Sequence, residues 1–304
     1  MCKMEVNLAG LILKNPVMTA SGTFGYGREY AHVVPLRELG AVVVKGTTLL
    51  ARDGNPPPRV VETPAGMLNA IGLQNVGVDA FLRDELPFLR DAGATVVLNL
   101  AGHTVKDYEE ATARVDGAPG LHAIEVNISC PNVSMGGMAF GVSPKSAYEV
   151  VAAVRKRTAL PVIAKLSPNV TDIKQIATAV VEAGADAVSL INTLVGMAID
   201  VDARQPVLKN VTGGLSGPAV RPVAVRMVWD VCSCVDVPVV GIGGISTARD
   251  ALEFIMAGAS AVQVGTAMFR EPTAPLEVIK GIGEYLTQNS LCLEEIVGIA
   301  RRSA

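Results

Sequence analysis

The run Glu125-Val126-Asn127-Ile128-Ser129-Cys130-Pro131-Asn132 carries the clearest chemical signal in the chain. Val126 and Ile128 read as a short buried strand, and Pro131 stops it because proline has no N–H for a ladder. Asn127, Cys130 and Asn132 then gather at the carboxyl end of that strand. A thiol becomes a base once ionised, and a carboxamide both donates and accepts hydrogen bonds. Together they suit proton transfer to or from a planar, polar ligand. Two lysines extend the set. Lys45 ends Val42-Val43-Val44-Lys45, and Lys165 lies in Val162-Ile163-Ala164-Lys165-Leu166. An ammonium at the end of a buried strand needs an anionic partner. Either lysine could instead form a Schiff base, as aldolase lysines do, but the asparagines favour a ring with several amide and carbonyl edges.

Positioning such groups is a task for the strands behind them. One junction repeats along the chain, a helix ending at glycine with an apolar strand directly after. It occurs at Leu39-Gly40-Ala41, Ala92-Gly93-Ala94, Ala183-Gly184-Ala185 and Ala257-Gly258-Ala259. Glycine just past a helix accepts the left-handed conformation that caps it. The apolar runs predict strands at 17–20, 41–45, 95–100, 123–128, 162–166, 187–191, 238–242 and 261–265. Between them lie amphipathic helices. Ile173, Ile176, Ala177, Val180 and Val181 share one face, with Thr171 as the expected N-cap. Ser143-Pro144 opens a helix bearing Val150, Val151 and Val154 inward and Arg155, Lys156 and Arg157 in its last turn. Ser246 or Thr247 caps another, with Leu252 and Ile255 inward.

Eight strands alternating with helices predict an α/β fold, a (β/α)8 TIM barrel, with loop insertions around the active site. A doubly wound open sheet is the competing architecture. It usually carries Gly-x-Gly-x-x-Gly after its first strand, and Ser21-Gly22-Thr23-Phe24-Gly25-Tyr26-Gly27 has a different spacing. Residues 5–13 alternate around Gly10 and predict a small N-terminal hairpin closing the barrel bottom. No linker is visible, so residues 1–304 read as one domain.

In such barrels function sits where the strands end. Those ends are Ser21-Gly22, Lys45-Gly46-Thr47-Thr48, Asn99, Asn127 with Cys130, Lys165, Asn192-Thr193, Gly243-Gly244 and Gly265-Thr266. Polar groups terminate one apolar strand after another. The glycines after the seventh and eighth strands predict a phosphate site built from backbone N–H groups.

Composition closes off other classes. Half of the 304 residues are hydrophobic and only 4% aromatic, an aliphatic core suited to strands buried on both faces. A net charge of −3 without a dense basic cluster argues against nucleic acid. No apolar run approaches the roughly 20 residues of a membrane span, and the start Met1-Cys2-Lys3-Met4-Glu5 has no signal-peptide character. A cytoplasmic protein without membrane attachment is expected. The five cysteines include no CxxC pair, and His32, His103 and His122 lack metal-ligand spacing, so neither disulfides nor a metal site are expected. Cys2, Cys232, Cys234 and Cys292 read as structural.

Taken in order, Ala20-Ser21-Gly22-Thr23, Lys45-Gly46-Thr47-Thr48, Asn69-Ala70-Ile71-Gly72-Leu73-Gln74-Asn75, Asn127-Ile128-Ser129-Cys130-Pro131-Asn132, Lys165-Leu166-Ser167-Pro168, Ile191-Asn192-Thr193 and Gly241-Ile242-Gly243-Gly244-Ile245 resemble the dihydroorotate dehydrogenase family along nearly the whole chain. The Asn-Ile-Ser-Cys-Pro-Asn segment is the specific one, whereas Gly-Ile-Gly-Gly-Ile is common to many barrels. The resemblance implies an FMN site lined by Ser21, Lys45, Gly46, Asn99, Asn127, Lys165, Ile191, Gly217, Gly243, Gly244, Gly265 and Thr266. It implies that Lys45, Asn69, Ala70, Ile71, Gly72, Leu73, Asn127, Asn192 and Thr193 hold dihydroorotate, with Asn132 a further candidate. Cys130 would be the base that removes the C5 proton while hydride leaves C6 for flavin N5, giving orotate for pyrimidine biosynthesis. A lysine would stabilise the negative charge that reduced flavin develops at N1 and O2. The glycine-rich stretch Val133-Ser134-Met135-Gly136-Gly137-Met138 is expected to close over substrate, and Asn55-Pro56-Pro57-Pro58 to act as a stiff spacer near the mouth.

Within the family, membrane-bound quinone-linked members use a serine base and carry an N-terminal extension, and this chain departs from them on both counts. It looks most like the soluble, NAD-linked class 1B catalytic subunit, whose partner subunit carries FAD and a [2Fe-2S] cluster in a heterotetramer of two of each chain. The chain has neither a Rossmann fingerprint nor a cluster of cysteines, so NAD chemistry would need that partner. The alternatives are a homodimeric, fumarate-linked class 1A enzyme, a reductase of free pyrimidine bases, a non-catalytic flavin-binding relative and a (β/α)8 lyase or isomerase acting on a phosphorylated substrate.

Overall fold

The apolar runs do form a parallel barrel. In the computed structural model, which describes residues 4–129 and 140–302, the strands are β1 (Val17–Thr19), β2 (Val42–Val43), β3 (Val96–Leu100), β4 (Ala123–Asn127), β5 (Val162–Lys165), β6 (Ala187–Leu190), β7 (Val239–Ile242) and β8 (Ala261–Val264). Each lies within two residues of its expected position. They pair in parallel in the order β1-β8-β7-β6-β5-β4-β3-β2. The two edges meet through a parallel bridge between Met18 and Ala41, with Thr19 N–H donating to the Ala41 carbonyl at 3.2 Å. The sheet therefore closes, and the open-sheet alternative falls. Every residue of these strands is buried, as both-face burial of a parallel sheet demands.

The helices of six residues or more are α1 (Leu86–Asp91), α2 (Val105–Val115), α3 (Pro144–Arg155), α4 (Ile173–Glu182), α5 (Arg221–Val231), α6 (Ala248–Ala257) and α7 (Ala274–Gln288). Between β1 and β2 the expected helix is replaced by one 3-10 turn, Leu36–Glu38. The Gly40 that follows is not a left-handed cap. It lies so close to the carbonyls of Asn15 and Val17 that a side chain there would collide with backbone. Gly93, Gly184 and Gly258 do adopt positive φ after their helices, as the repeat predicts. The cap of α4 is Asp172 rather than Thr171, because the Asp172 carboxylate accepts the Lys174 N–H at 3.0 Å. Thr247 caps α6 through a reciprocal capping box with Asp250.

The N-terminal hairpin pairs Val6–Leu8 with Leu11–Leu13 and buries Val6, Leu8, Leu11 and Leu13 in the common core. A second sheet had no clear periodic signal. Leu194–Met197, Thr212–Ser216, Gly66–Asn69 and Val60–Thr63 form a four-stranded antiparallel sheet in that order. This cap sheet is built from the insertions after β2 and β6, so both halves rise from the carboxyl ends of barrel strands. No helix among the described residues is long and apolar enough to cross a membrane.

Candidate active site

The strand ends converge as the topology requires. Lys165 at the end of β5 reaches across the mouth of the barrel, where its Nζ donates to Ser21 Oγ after β1 at 3.1 Å. Its ammonium also lies 3.6 Å from Glu125 Oε1 on β4, with both side chains almost entirely buried. Lys45, after β2, points toward Gly22; a Cβ there would sit 3.9 Å from Lys45 Nζ. Among the described residues no carboxylate comes within ion-pair distance of Lys45. Burial pulls its ammonium below the ordinary lysine range, and the nearby positive charge of Arg59 adds to the shift. An anionic ligand at that position would relieve both effects.

The asparagines form one connected array. Asn99 on β3 donates to Glu125 Oε1 at 2.6 Å, and Asn127 donates to Asn99 Oδ1 at 3.4 Å. Asn192 donates to Ser129 Oγ at 2.9 Å and to Asn127 Oδ1 at 3.5 Å. Tyr108 on α2 holds the strand end from behind, its hydroxyl donating to the Asn127 carbonyl at 2.7 Å. Gly46 sits against this array. A Cβ there would come within 2.9 Å of Asn99 Oδ1 and 3.3 Å of Leu73 Cδ2, so the 69–73 loop reaches over the same floor.

That loop is braced from both sides. Asn69 donates to the Gly214 carbonyl at 3.3 Å in the cap sheet, where the Thr193 side chain fills the space beside Gly214. Ala70 N–H donates to the Arg59 carbonyl, and Asn55 N–H to the Ile71 carbonyl. The Asn55 side chain donates to the Ala70 carbonyl at 2.9 Å. Asn55 therefore does more than begin a spacer: it fixes the curve through Gly72 and Leu73, which both have positive φ.

A different kind of subsite lies between β7 and β8. Gly243 (φ 134°) and Gly244 (φ 72°) turn the chain so that no side chain covers it. Among the described residues, the backbone N–H groups of Gly243, Gly244, Gly265 and Thr266 donate to no acceptor. Orphan N–H groups grouped in this way favour an anion. Gly217 joins from just past the Thr212–Ser216 strand, its carbonyl 2.7 Å from where a Cβ on Gly244 would lie, and Ile191 packs against Gly243. Thr266 Oγ1 is hydrogen-bonded to Ser216 Oγ at 2.8 Å.

The sequence-derived set Ser21, Lys45, Gly46, Asn69–Leu73, Asn99, Asn127, Lys165, Ile191–Thr193, Gly217, Gly243, Gly244, Gly265 and Thr266 thus falls on one end of the barrel. Cys130, Asn132 and the glycine-rich stretch 133–138 lie outside the described residues. Glu125, Ser129, Ser189 and Gln263 join the site without being among its expected residues. Glu125 was the most legible of these, a carboxylate in the middle of the apolar run Ala123-Ile124-Glu125-Val126. Arg59 and Tyr108 offered no signal, since both act through chain distant in sequence. Cys232, away from the mouth, is a half-buried thiol pushed up to about 11 by desolvation, in keeping with an inert role.

The arrangement offers an anion cradle, two ammonium groups and a floor of carboxamides at one mouth. Comparison with known proteins agrees on what such a site belongs to. A family model described as dihydroorotate dehydrogenase matches residues 3–286. A protein of Geotalea uraniireducens named "dihydroorotate dehydrogenase B (NAD(+)), catalytic subunit" is 56% identical over 296 residues, 97% of each chain. Proteins of the same name from Pelobacter propionicus and Desulforudis audaxviator are each 58% identical, over 97% of both chains and over 99% and 98% respectively.

Proposed function

The chain belongs to the dihydroorotate dehydrogenase family of oxidoreductases, and we propose that it oxidises (S)-dihydroorotate to orotate at the barrel mouth, as the FMN-binding catalytic subunit of a cytoplasmic, NAD-linked enzyme of pyrimidine biosynthesis. The observation that carries this reading is the union, at one end of the barrel, of an anion cradle with a half-buried lysine that has no carboxylate partner among the described residues and a carboxamide floor.

The residues fit FMN on two counts. The free N–H groups of Gly243, Gly244, Gly265 and Thr266 suit a phosphate, and Lys45 and Lys165 supply cations where a ring would carry negative charge. Ser21, Gly46, Asn99, Asn127, Ile191 and Gly217 complete that site in this reading. When bound, FMN supplies the two-electron acceptor that no side chain can provide.

The protein's own part is alignment and proton transfer. Asn127 and Asn192 offer donors and acceptors to the amide and carbonyl edges of a dihydropyrimidine ring, and Lys45 faces its carboxylate. Asn69 to Leu73 and Thr193 wall the pocket, with Asn132 a further contact. Cys130, three residues beyond Asn127, takes the C5 proton as thiolate. Holding reactants in place in this way contributes a large share of rate enhancement in two-substrate chemistry.

Electrons leave for NAD through a partner subunit carrying FAD and a [2Fe-2S] cluster, in a heterotetramer of two of each chain. The relatives' shared name, a catalytic subunit of an NAD(+) enzyme, supports a partner and that acceptor.

The test is anaerobic mixing of the flavin-loaded chain with dihydroorotate. Rapid loss of the oxidised flavin absorbance is expected. A yellow chain that never bleaches would remove dihydroorotate as substrate, and a colourless chain that takes up no FMN would remove the flavin. A narrower check concerns the cradle. Gly244→Val, with positive φ and a Cβ pressed against the Gly217 carbonyl, is expected to purify without flavin. Its far-ultraviolet circular dichroism should stay that of the parent chain. Retention of FMN at parental stoichiometry would place the phosphate elsewhere.

A further inference from the structure

Beneath the mouth lies a charged group that the proposed chemistry does not use. Glu125 is fully buried within the barrel. Four side chains from four other strands surround it, and all of them are donors. Asn99 on β3 donates to Oε1 at 2.6 Å, and the Lys165 ammonium on β5 stands 3.6 Å from the same oxygen. Ser189 on β6 donates to Oε2 at 2.9 Å, and Gln263 on β8 at 2.6 Å. A ring of donors is built for the acceptor-only, ionised carboxylate. Gln263 adds to the case. Its Oε1 is the one buried side-chain oxygen or nitrogen without a hydrogen-bond partner among the described residues. The amide leaves its own carbonyl unsatisfied in order to turn its N–H toward Glu125.

We propose that Glu125 is a positioning residue whose negative charge, acting through Lys165, sets how strongly the barrel mouth favours negative charge on the bound ring. The inference rests on the FMN reading. Lys165 is the one charged residue among these, and it extends from Glu125 to the mouth, where it meets Ser21. With Glu125 beside it, its charge is largely balanced within the barrel. Without Glu125, the same ammonium would act on the ring uncompensated, in a setting where burial strengthens electrostatics. The Asn99 contact gives a second route, because Asn99 also accepts from Asn127.

Glu125→Gln separates charge from shape. The amide is isosteric; the Ser189 hydroxyl can turn to accept, and a reversed Gln263 amide would offer its orphaned carbonyl. The midpoint potential of bound FMN, read by reductive titration of variant and parent at matched flavin content, is expected to move to a more positive value. Ser189→Ala removes a hydrogen bond but keeps the charge, and is expected to leave the potential in place. An unchanged or more negative potential in Glu125→Gln overturns the inference, as does an equal shift in Ser189→Ala. Should Glu125→Gln fail to fold, Glu125→Asp is read instead. It draws the carboxylate back from Lys165 by one methylene, so a smaller positive shift supports the inference and none overturns it. A parent chain that binds no FMN overturns the flavin reading, and this inference with it.

Discussion

Cys130→Ala is expected to lower turnover with dihydroorotate by about 100- to 10,000-fold, the usual worth of a positioned general base. Flavin content should stay parental, because Cys130 is not among the proposed FMN contacts. Loss of rate without loss of colour is therefore the signature. The pH dependence follows from the same assignment. The active form is the thiolate, so the parent rate should rise with pH through the titration of the thiol, which lies near about 8.5 for an unperturbed cysteine, and level off above it. Cys130→Ser keeps the size of the side chain but titrates far outside this range, and the inflection should vanish along with most of the rate. Measuring single-turnover flavin reduction across pH checks both points. A Cys130→Ala chain that bleaches at the parental rate would remove the thiol from the chemistry.

Lys45→Met should act in opposite directions on ligand binding and on stability. The Lys45 side chain is half-buried without a carboxylate partner among the described residues, and its proton affinity is lowered first by desolvation and then by Arg59. A charged hydrogen bond to an anionic ligand contributes about 1.5–3 kcal/mol. Replacing Lys45 should therefore weaken orotate binding about 10- to 100-fold, read by titrating the flavin spectrum. Stability of the ligand-free chain should rise. The unfolded chain holds this proton to higher pH than the folded one, so the destabilisation is complete below the folded pKa. It fades as pH climbs toward the ordinary lysine value. Lys45→Met removes that penalty, and thermal unfolding near neutral pH should shift upward. A variant that lost both binding and stability would mean that Lys45 has a partner outside the described residues.

The balance between charge and burial also explains which parts of this site were legible in advance. Lys45, Asn99, Asn127 and Lys165 stood out because each ends an apolar run, and a polar residue at such a place is locally anomalous. The phosphate cradle was legible in the same way, from Gly243-Gly244 and Gly265-Thr266 after two apolar strands. Glu125 was equally anomalous, yet its meaning depended on partners that no local pattern supplies. The cap sheet left still less trace. Its strands are short and rich in glycine, as in Thr212-Gly213-Gly214-Leu215-Ser216, and they are only partly buried, so neither alternation nor a hydrophobic run marks them. Asn55 looked like the start of a stiff proline loop, and its grip on the 69–73 loop appears only once the chain folds back.

The strands, most of the helices and the strand ends at which function would gather could all be read from local sequence. These are local matters: apolar runs, helical periodicity and glycine after a helix act over a few residues. What those residues face depends on how the chain folds back on itself. Closure of the barrel brings Glu125 to Asn99, Ser189 and Gln263, residues 26, 64 and 138 positions away. A buried carboxylate can persist only where such donors surround it, and which donors do so is fixed by the order of strands around the barrel.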